Sequence, residues 1–214
     1  MDIILVTNNN KFDTTEIEES ISDEHNLIFT GLDASASVNR NKGLSEVKSE
    51  IYIMMDDDMQ GFYEGWVEDL IKPMLHNQMV LITSARLLNT NGTMGHMMGD
   101  NKVFEKGTYD ASPSTYRGYT RIPTACLALR KNSLRYNEEF IGSGYEDTDY
   151  MNRINMHFKH TRIMINNDCK LIHNNIQQNQ GGKYFAHNKA LYLSLYPDDT
   201  TVTNQVDWTA RKKK

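Results

Sequence analysis

Ile51-Tyr-Ile-Met-Met-Asp-Asp-Asp58 is the stretch on which the fold turns. Five apolar residues in a row, without the alternation of a half-exposed strand, describe a strand covered on both faces. The run then ends in three carboxylates. Like charges a few ångströms apart raise one another's pKa and destabilise the ionised form. A hard divalent cation removes that cost, because Mg2+ and Mn2+ prefer carboxylate oxygens. In open α/β sheets, ligands bind at the carboxyl ends of strands, which is where this cluster falls. Alternate side chains share a direction, so Asp56 and Asp58 would point together and Asp57 elsewhere. Two other readings stay open for the cluster alone. It could be a solvated acidic turn. It could also imitate a calcium loop through Asp56, Asp58, Gln60 and Gly61, but Val67 stands where the closing Glu belongs and a strand precedes it.

Outward from this strand the pattern alternates. Residues 2–7 form another short apolar run, followed by Asn8, Asn9 and Asn10 as turn material. Ile17 and Ile21, four apart among acids, predict an amphipathic helix over 14–22, with Thr14 or Thr15 and Glu18 as capping residues. Residues 27–32 read as a strand ending at Asp33, and a helix falls within 34–48. Phe62, Trp66 and Leu70 give a helix face that Pro73 should end or kink, and 79–84 is a further strand. This β-α-β-α-β-α-β order argues for a parallel sheet with helices on both faces. The segment 89–118 lacks periodicity and reads as hairpins or a long loop over an active site. Beyond it come a strand over 120–130, a helix over 146–157, one or two strands over 161–172 and a helical patch at 187–195.

The bulk composition narrows the function. The 214 residues are 39% hydrophobic and 24% charged, which suits a folded domain. A net charge of -5 provides no general basic surface for nucleic acid. Cys126 and Cys169 have no metal-ligand spacing and read as buried reduced thiols. The start lacks a signal-peptide pattern and no apolar run reaches membrane-spanning length, so the expectation is a soluble, cytoplasmic protein. The Asn- and Met-rich composition would suit a bacterial, phage or viral enzyme. The Arg211–Lys214 tail reads as a disordered terminus, with weak contact to an anionic surface as the alternative.

A second acidic group follows two glycines in Gly142-Ser-Gly-Tyr-Glu-Asp-Thr-Asp149. Carboxylates at the start of a helix are favoured by its dipole. Asp149 has Arg153 four residues on as an ion-pair partner. Glu146 and Asp147 have none nearby, which frees either to act as a general base. His173, after the apolar Leu171-Ile172, is either structural or a ligand.

Taken in order, these motifs resemble the inverting glycosyltransferases of family 2. The residues that carry the resemblance are Asn39-Arg-Asn-Lys-Gly-Leu, Ser49 through Asp58, Thr124 through Arg153 with Phe140 and the Gly142–Asp149 loop, and then His173-Asn, Gly181-Gly and Asn188-Lys-Ala. The likeness spans residues 2–196 and implies the GT-A fold, a Rossmann-like, mostly parallel sheet flanked by helices. It implies one domain over 1–196, with a nucleotide-binding part near 1–85, an acceptor and catalytic part near 86–196, and a tail over 197–214. It implies a nucleotide-sugar donor, UDP-sugar first, with Mn2+ or Mg2+ as cofactor. The acceptor hydroxyl could belong to a glycan, a lipid-linked sugar, a protein or a modified nucleobase. Residue by residue, it implies Asp58, Asp56 and His173 as metal ligands and Asp147 with Glu146 as the catalytic base pair. Thr7, Asp33, Arg40, Asn41, Asp56 and Asp57 would line the nucleotide-sugar. The sequence departs from the family pattern after Asp33, which is followed by Ala-Ser-Ala-Ser, and at Thr7-Asn8-Asn9. A sugar-phosphate nucleotidyltransferase would need a basic glycine-rich loop near the start, where residues 7–13 offer only Lys11. A non-catalytic nucleotide-sugar-binding protein would not need Asp58, Asp147 and His173 together.

Overall fold

The structure is a computed structural model that describes residues 1–93, 106–112, 122, 124–174, 181–199 and 202. Its strands are β1 (Asp2–Val6), β2 (Asn26–Phe29), β3 (Ile51–Asp56), β4 (Met59–Gln60), β5 (Val80–Leu88), β6 (Thr108–Asp110), β7 (Cys126–Arg130) and β8 (Arg162–His173). The helices are α1 (Thr15–Ser20), α2 (Ala36–Glu46), α3 (Trp66–His76), α4 (Glu146–His157) and α5 (Gly181–Leu195). The strands form one sheet in the order β2-β1-β3-β7-β5-β8-β4, with β6 pairing on β8.

The continuous apolar runs become the central strands, as doubly covered strands should. Alternation divides their side chains between two cores. Ile3, Leu5, Ile53 and Met55 face Ile17 of α1 and Trp66, Leu70 and Met74 of α3. Ile4, Val6, Tyr52 and Met54 face Leu44 of α2 and Tyr150, Met151 and Ile154 of α4. Gly43 lets α2 lie directly on β1, since a Cβ there would come 2.4 Å from the Ile4 side chain. A third cluster joins Phe140 and Tyr145 to Tyr192, Tyr196 and Val202. Packing therefore continues past residue 196, into the segment expected to be tail. Arg211–Lys214 and most of the expected 89–118 loop lie outside the described residues.

The opening-half strands β1, β2, β3 and β5 share one direction, as expected, within a sheet that also takes in antiparallel strands. β7 runs antiparallel between β3 and β5, while β1 pairs parallel with β2 and β3, and β5 with β8. Antiparallel neighbours need no crossover helix, consistent with the missing helical period between β5 and β7. Pro73 does not end α3, which continues to His76 with the proline inside it. Its ring nitrogen cannot donate to the carbonyl of Asp69, and the Asn166 side-chain amide on β8 donates to that carbonyl instead, at 2.6 Å. The Asp149–Arg153 pair forms as expected, at 2.7 Å. Cys126 and Cys169 are free, buried thiols. Among the described residues no helix is long and apolar enough to cross a membrane.

Candidate active site

Strand register assembles the site at the carboxyl ends of β1 and β3. Val6 pairs with Asp56, so the residues that follow each strand, Thr7 and Asp57, emerge side by side. The Thr7 hydroxyl donates a short hydrogen bond to Asp57 and accepts the Asn9 amide at 3.0 Å. Burial raises the Asp57 pKa despite the Thr7 bond that opposes the rise. Asp57 is thereby held at the first strand end, away from its two neighbours' partners.

Asp56 and Asp58 meet His173. The chain turns after Asp57, and Met59 of β4 pairs with His173 at the end of β8. The Asn174 amide donates to the Asp58 carbonyl at 2.8 Å and fixes the junction. One ligand atom from each of Asp56, Asp58 and His173 lies within 4.8 Å of the others. His173 Nε2 lies 3.1 Å from the buried Asp58 Oδ1. Two carboxylates and an imidazole converging on one point fit a divalent ion. Burial works to lower the His173 pKa, but contact with Asp58 and the charges of Asp58 and Asp56 more than offset this and raise it. Burial likewise raises the Asp56 pKa, with Arg40 opposing and Asp58 adding to the rise.

Arg40, on α2, is buried to 4% exposure. One guanidinium nitrogen is 2.9 Å from Asp56 and the other 2.6 Å from Glu146. Its guanidinium also lies over the Tyr136 ring, 5.2 Å from the centroid. Burial opposes the charge, but Asp56 and Glu146 hold the Arg40 pKa well above its usual value. Glu146 is itself buried, and its second oxygen accepts the Gly144 amide. Burial first, then Asp147, raises its pKa. Asp147 is only half-buried, in the first turn of α4. Its carboxylate accepts the Thr124 hydroxyl and, at 2.6 Å, the Thr148 amide. Asp147 is thus the accessible member of the pair and Glu146 the anchored one.

Two expected residues stand apart from this cluster. Asn41 faces away from its neighbour Arg40. Its amide donates to the Tyr136 carbonyl and to Glu138, and its oxygen accepts the Tyr136 amide at 2.8 Å. In the structure it ties α2 to the chain before Phe140. Asp33 lies exposed on the loop after β2. That loop is organised by Asn39, whose side chain bonds Leu32, Ala34 and Ser35.

A sequence model of glycosyl transferase family 2 matches residues 1–136, well over half of the 214 residues. The chain belongs to glycosyltransferase family 2. No curated protein matches it. Solved structures with a similar fold include Staphylococcus aureus TarS 1–349, at a TM-score of 0.53 and 14% identity. The longer TarS structure superposes at 0.55 with 13% identity. Each superposition covers 90% of this chain but only 64% and 39% of those chains. At such identity the likeness shows the fold, a central mostly parallel sheet flanked by helices, as the GT-A resemblance implies.

Two residues at this candidate site carry no signal that the sequence singled out. Thr124 sits just before β7, and only the antiparallel entry of that strand brings it to the carboxyl end of β3. Tyr145, the residue before Glu146, has a left-handed φ of 70°. Such a conformation costs a large side chain about 1–3 kcal/mol and persists only where packing enforces it. Neither feature leaves a signal in sequence spacing.

Proposed function

We propose that this chain is a metal-dependent glycosyltransferase that moves a sugar from a nucleotide-diphosphate donor to an acceptor hydroxyl with inversion. The observation that carries the reading is the convergence of Asp56, Asp58 and His173 within 4.8 Å at the end of β3. Arg40 ties Asp56 to Glu146, so the accessible carboxylate of Asp147 belongs to the same rim. Asp58, Asp56 and His173 would hold the ion, with the imidazole favouring Mn2+ over Mg2+. When bound, the ion supplies Lewis-acid stabilisation of negative charge on a departing diphosphate.

The chain's own residues supply the rest. Asp147 takes the proton of the acceptor hydroxyl as that oxygen attacks the anomeric carbon. The new carbon–oxygen bond forms as the bond to the diphosphate breaks, and the electron pair leaves with the nucleotide diphosphate. Attack opposite the leaving group inverts the anomeric configuration. In the half-buried first turn of α4, the Thr124 hydroxyl and the Thr148 amide orient the Asp147 carboxylate by donating to it. Thr7 and Asp57 line the donor side, and the loop carrying Asp33 is the surface offered to the base. Asn41 is left out of this pocket, because its amide is spent on Tyr136 and Glu138. UDP is the favoured nucleotide on the strength of the family resemblance.

The test is nucleotide release from UDP-, GDP- and dTDP-sugars with Mn2+ and with EDTA. Release that needs Mn2+ is expected from the wild-type protein. Asp147→Asn should still bind nucleotide but lose turnover by about 10²–10⁴-fold, the usual worth of a general base. Normal turnover by Asp147→Asn would remove the base assignment.

A further inference from the structure

The acids of the site sit behind a loop whose position is set from α5. Asn188, fully buried on that helix, makes four hydrogen bonds to the loop backbone. Its oxygen accepts the Ile141 amide at 3.1 Å. Its amide donates to the carbonyls of Ile141 at 2.9 Å, Ser143 at 3.3 Å and Gly144 at 3.0 Å. One side chain therefore bonds four backbone groups of Ile141, Ser143 and Gly144, just ahead of Glu146 and Asp147.

Two independent contacts load the same loop from α5. Gly142 has φ 63°, and a Cβ there would come 2.2 Å from the Tyr184 ring. The left-handed Tyr145 is wedged between Phe185 and Tyr192, with ring centroids 5.8 and 5.4 Å away. Tyr192 is held in turn by Asn152 of α4 at 2.6 Å and Asp199 at 2.7 Å. On its other side the loop touches the donor half, because the Gly142 carbonyl accepts the Ala36 amide at 2.9 Å at the start of α2. An unfavourable φ at the residue before two adjacent acids is a place where position is enforced by packing.

We propose that Asn188 is a positioning residue for the transfer reaction: α5 clamps the Ile141–Tyr145 loop and so fixes where Asp147 meets the acceptor. The role rests on the glycosyl-transfer reading. Asn188 touches neither donor nor cation site, so its loss should act on turnover and leave donor affinity alone. A misplacement of about 1 Å in a reacting group costs about a hundredfold in rate.

Hydrogen exchange and kinetics on Asn188→Ala and Asn188→Asp test this. Asn188→Asp keeps the acceptor for Ile141 and loses the three donor bonds. Asn188→Ala should lose protection at the Ile141 amide, which donates to Asn188, while the Tyr150–Ile154 amides of α4 stay protected. Its kcat should fall about 10–100-fold with donor KM within twofold of wild type. Asn188→Asp should fall between the two proteins in Ile141 protection. Gly142→Ala, which pushes on the loop from Tyr184, should reproduce the kcat loss, and Ser194→Ala on the outer face of α5 should do nothing. Unchanged protection at Ile141, or a kcat loss matched by an equal rise in donor KM, would overturn the proposal. The exchange arm needs no substrate. A wild-type protein that transfers no sugar would thus refute the transfer reading, and the clamp would still stand or fall on exchange.

Discussion

On the proposed metal-dependent reading, a proton and a divalent cation would compete for Nε2 of His173. Without the cation, the nearby Asp58 and Asp56 charges outweigh burial and hold the imidazole pKa above its ordinary value. The cation needs the neutral ring. Mn2+ affinity should therefore rise with pH until the raised His173 pKa is passed. Below it, affinity should fall by up to about tenfold per pH unit, since one proton is displaced. His173→Gln should bind Mn2+ weakly and with a shallower pH profile in calorimetric titrations. The same shift has a stability consequence of defined sign. Because the folded pKa lies above the unfolded value, the metal-free protein gains stability that is fully present below about pH 6.5. That gain is lost as pH rises through the raised pKa. Urea unfolding in EDTA should show this decline in the wild type and not in His173→Gln.

Among the elements, α3 and β8 depend on one another through Pro73. The carbonyl of Asp69 has lost its helical donor, and Asn166 supplies the replacement. Asn166→Ala should cost about 1–3 kcal/mol in denaturant unfolding, the cost of an orphaned buried acceptor. Pro73→Ala restores a backbone donor, so Asn166→Ala should cost less in that background. The sequence could show Pro73 but not its compensation, because Asn166 arrives from a strand far along the chain. Other elements were legible. The α4 boundaries follow from Glu146 and Asp147 at its start and from Tyr150 and Ile154 on one face. β1 and β3 follow from unbroken apolar runs. The direction of β7 was not legible, since Leu127 and Leu129 read the same in either sense. What decides it is its place between β3 and β5.

Across the whole molecule, Arg40 of α2 ties the first strands of the sheet to α4. It joins Asp56 at the end of β3 to Glu146 at the start of α4. Removing it leaves the buried Glu146 and the half-buried Asp56 without their cation. Arg40→Met should cost about 3–5 kcal/mol, as breaking a buried ion pair does. Glu146→Gln should cost less, because it removes charge rather than stranding it. The sequence offered Arg40, Asp56 and Glu146 as site residues but gave no reason to pair them, as side-chain pairing over such separation is a property of the folded sheet. Likewise Asp56, Asp58 and His173 were nominated from motif order, while their common point came from β4 pairing with the end of β8. The central claim is that a cation at this point holds a nucleotide diphosphate. Calorimetric titration of UDP, GDP and dTDP in Mn2+ and in EDTA, on the wild type and Asp58→Ala, tests it most directly. At least one nucleotide should bind in Mn2+, and binding should disappear in EDTA and in Asp58→Ala although the variant stays folded. Equal binding in EDTA, or full Mn2+-dependent binding by Asp58→Ala, would contradict it.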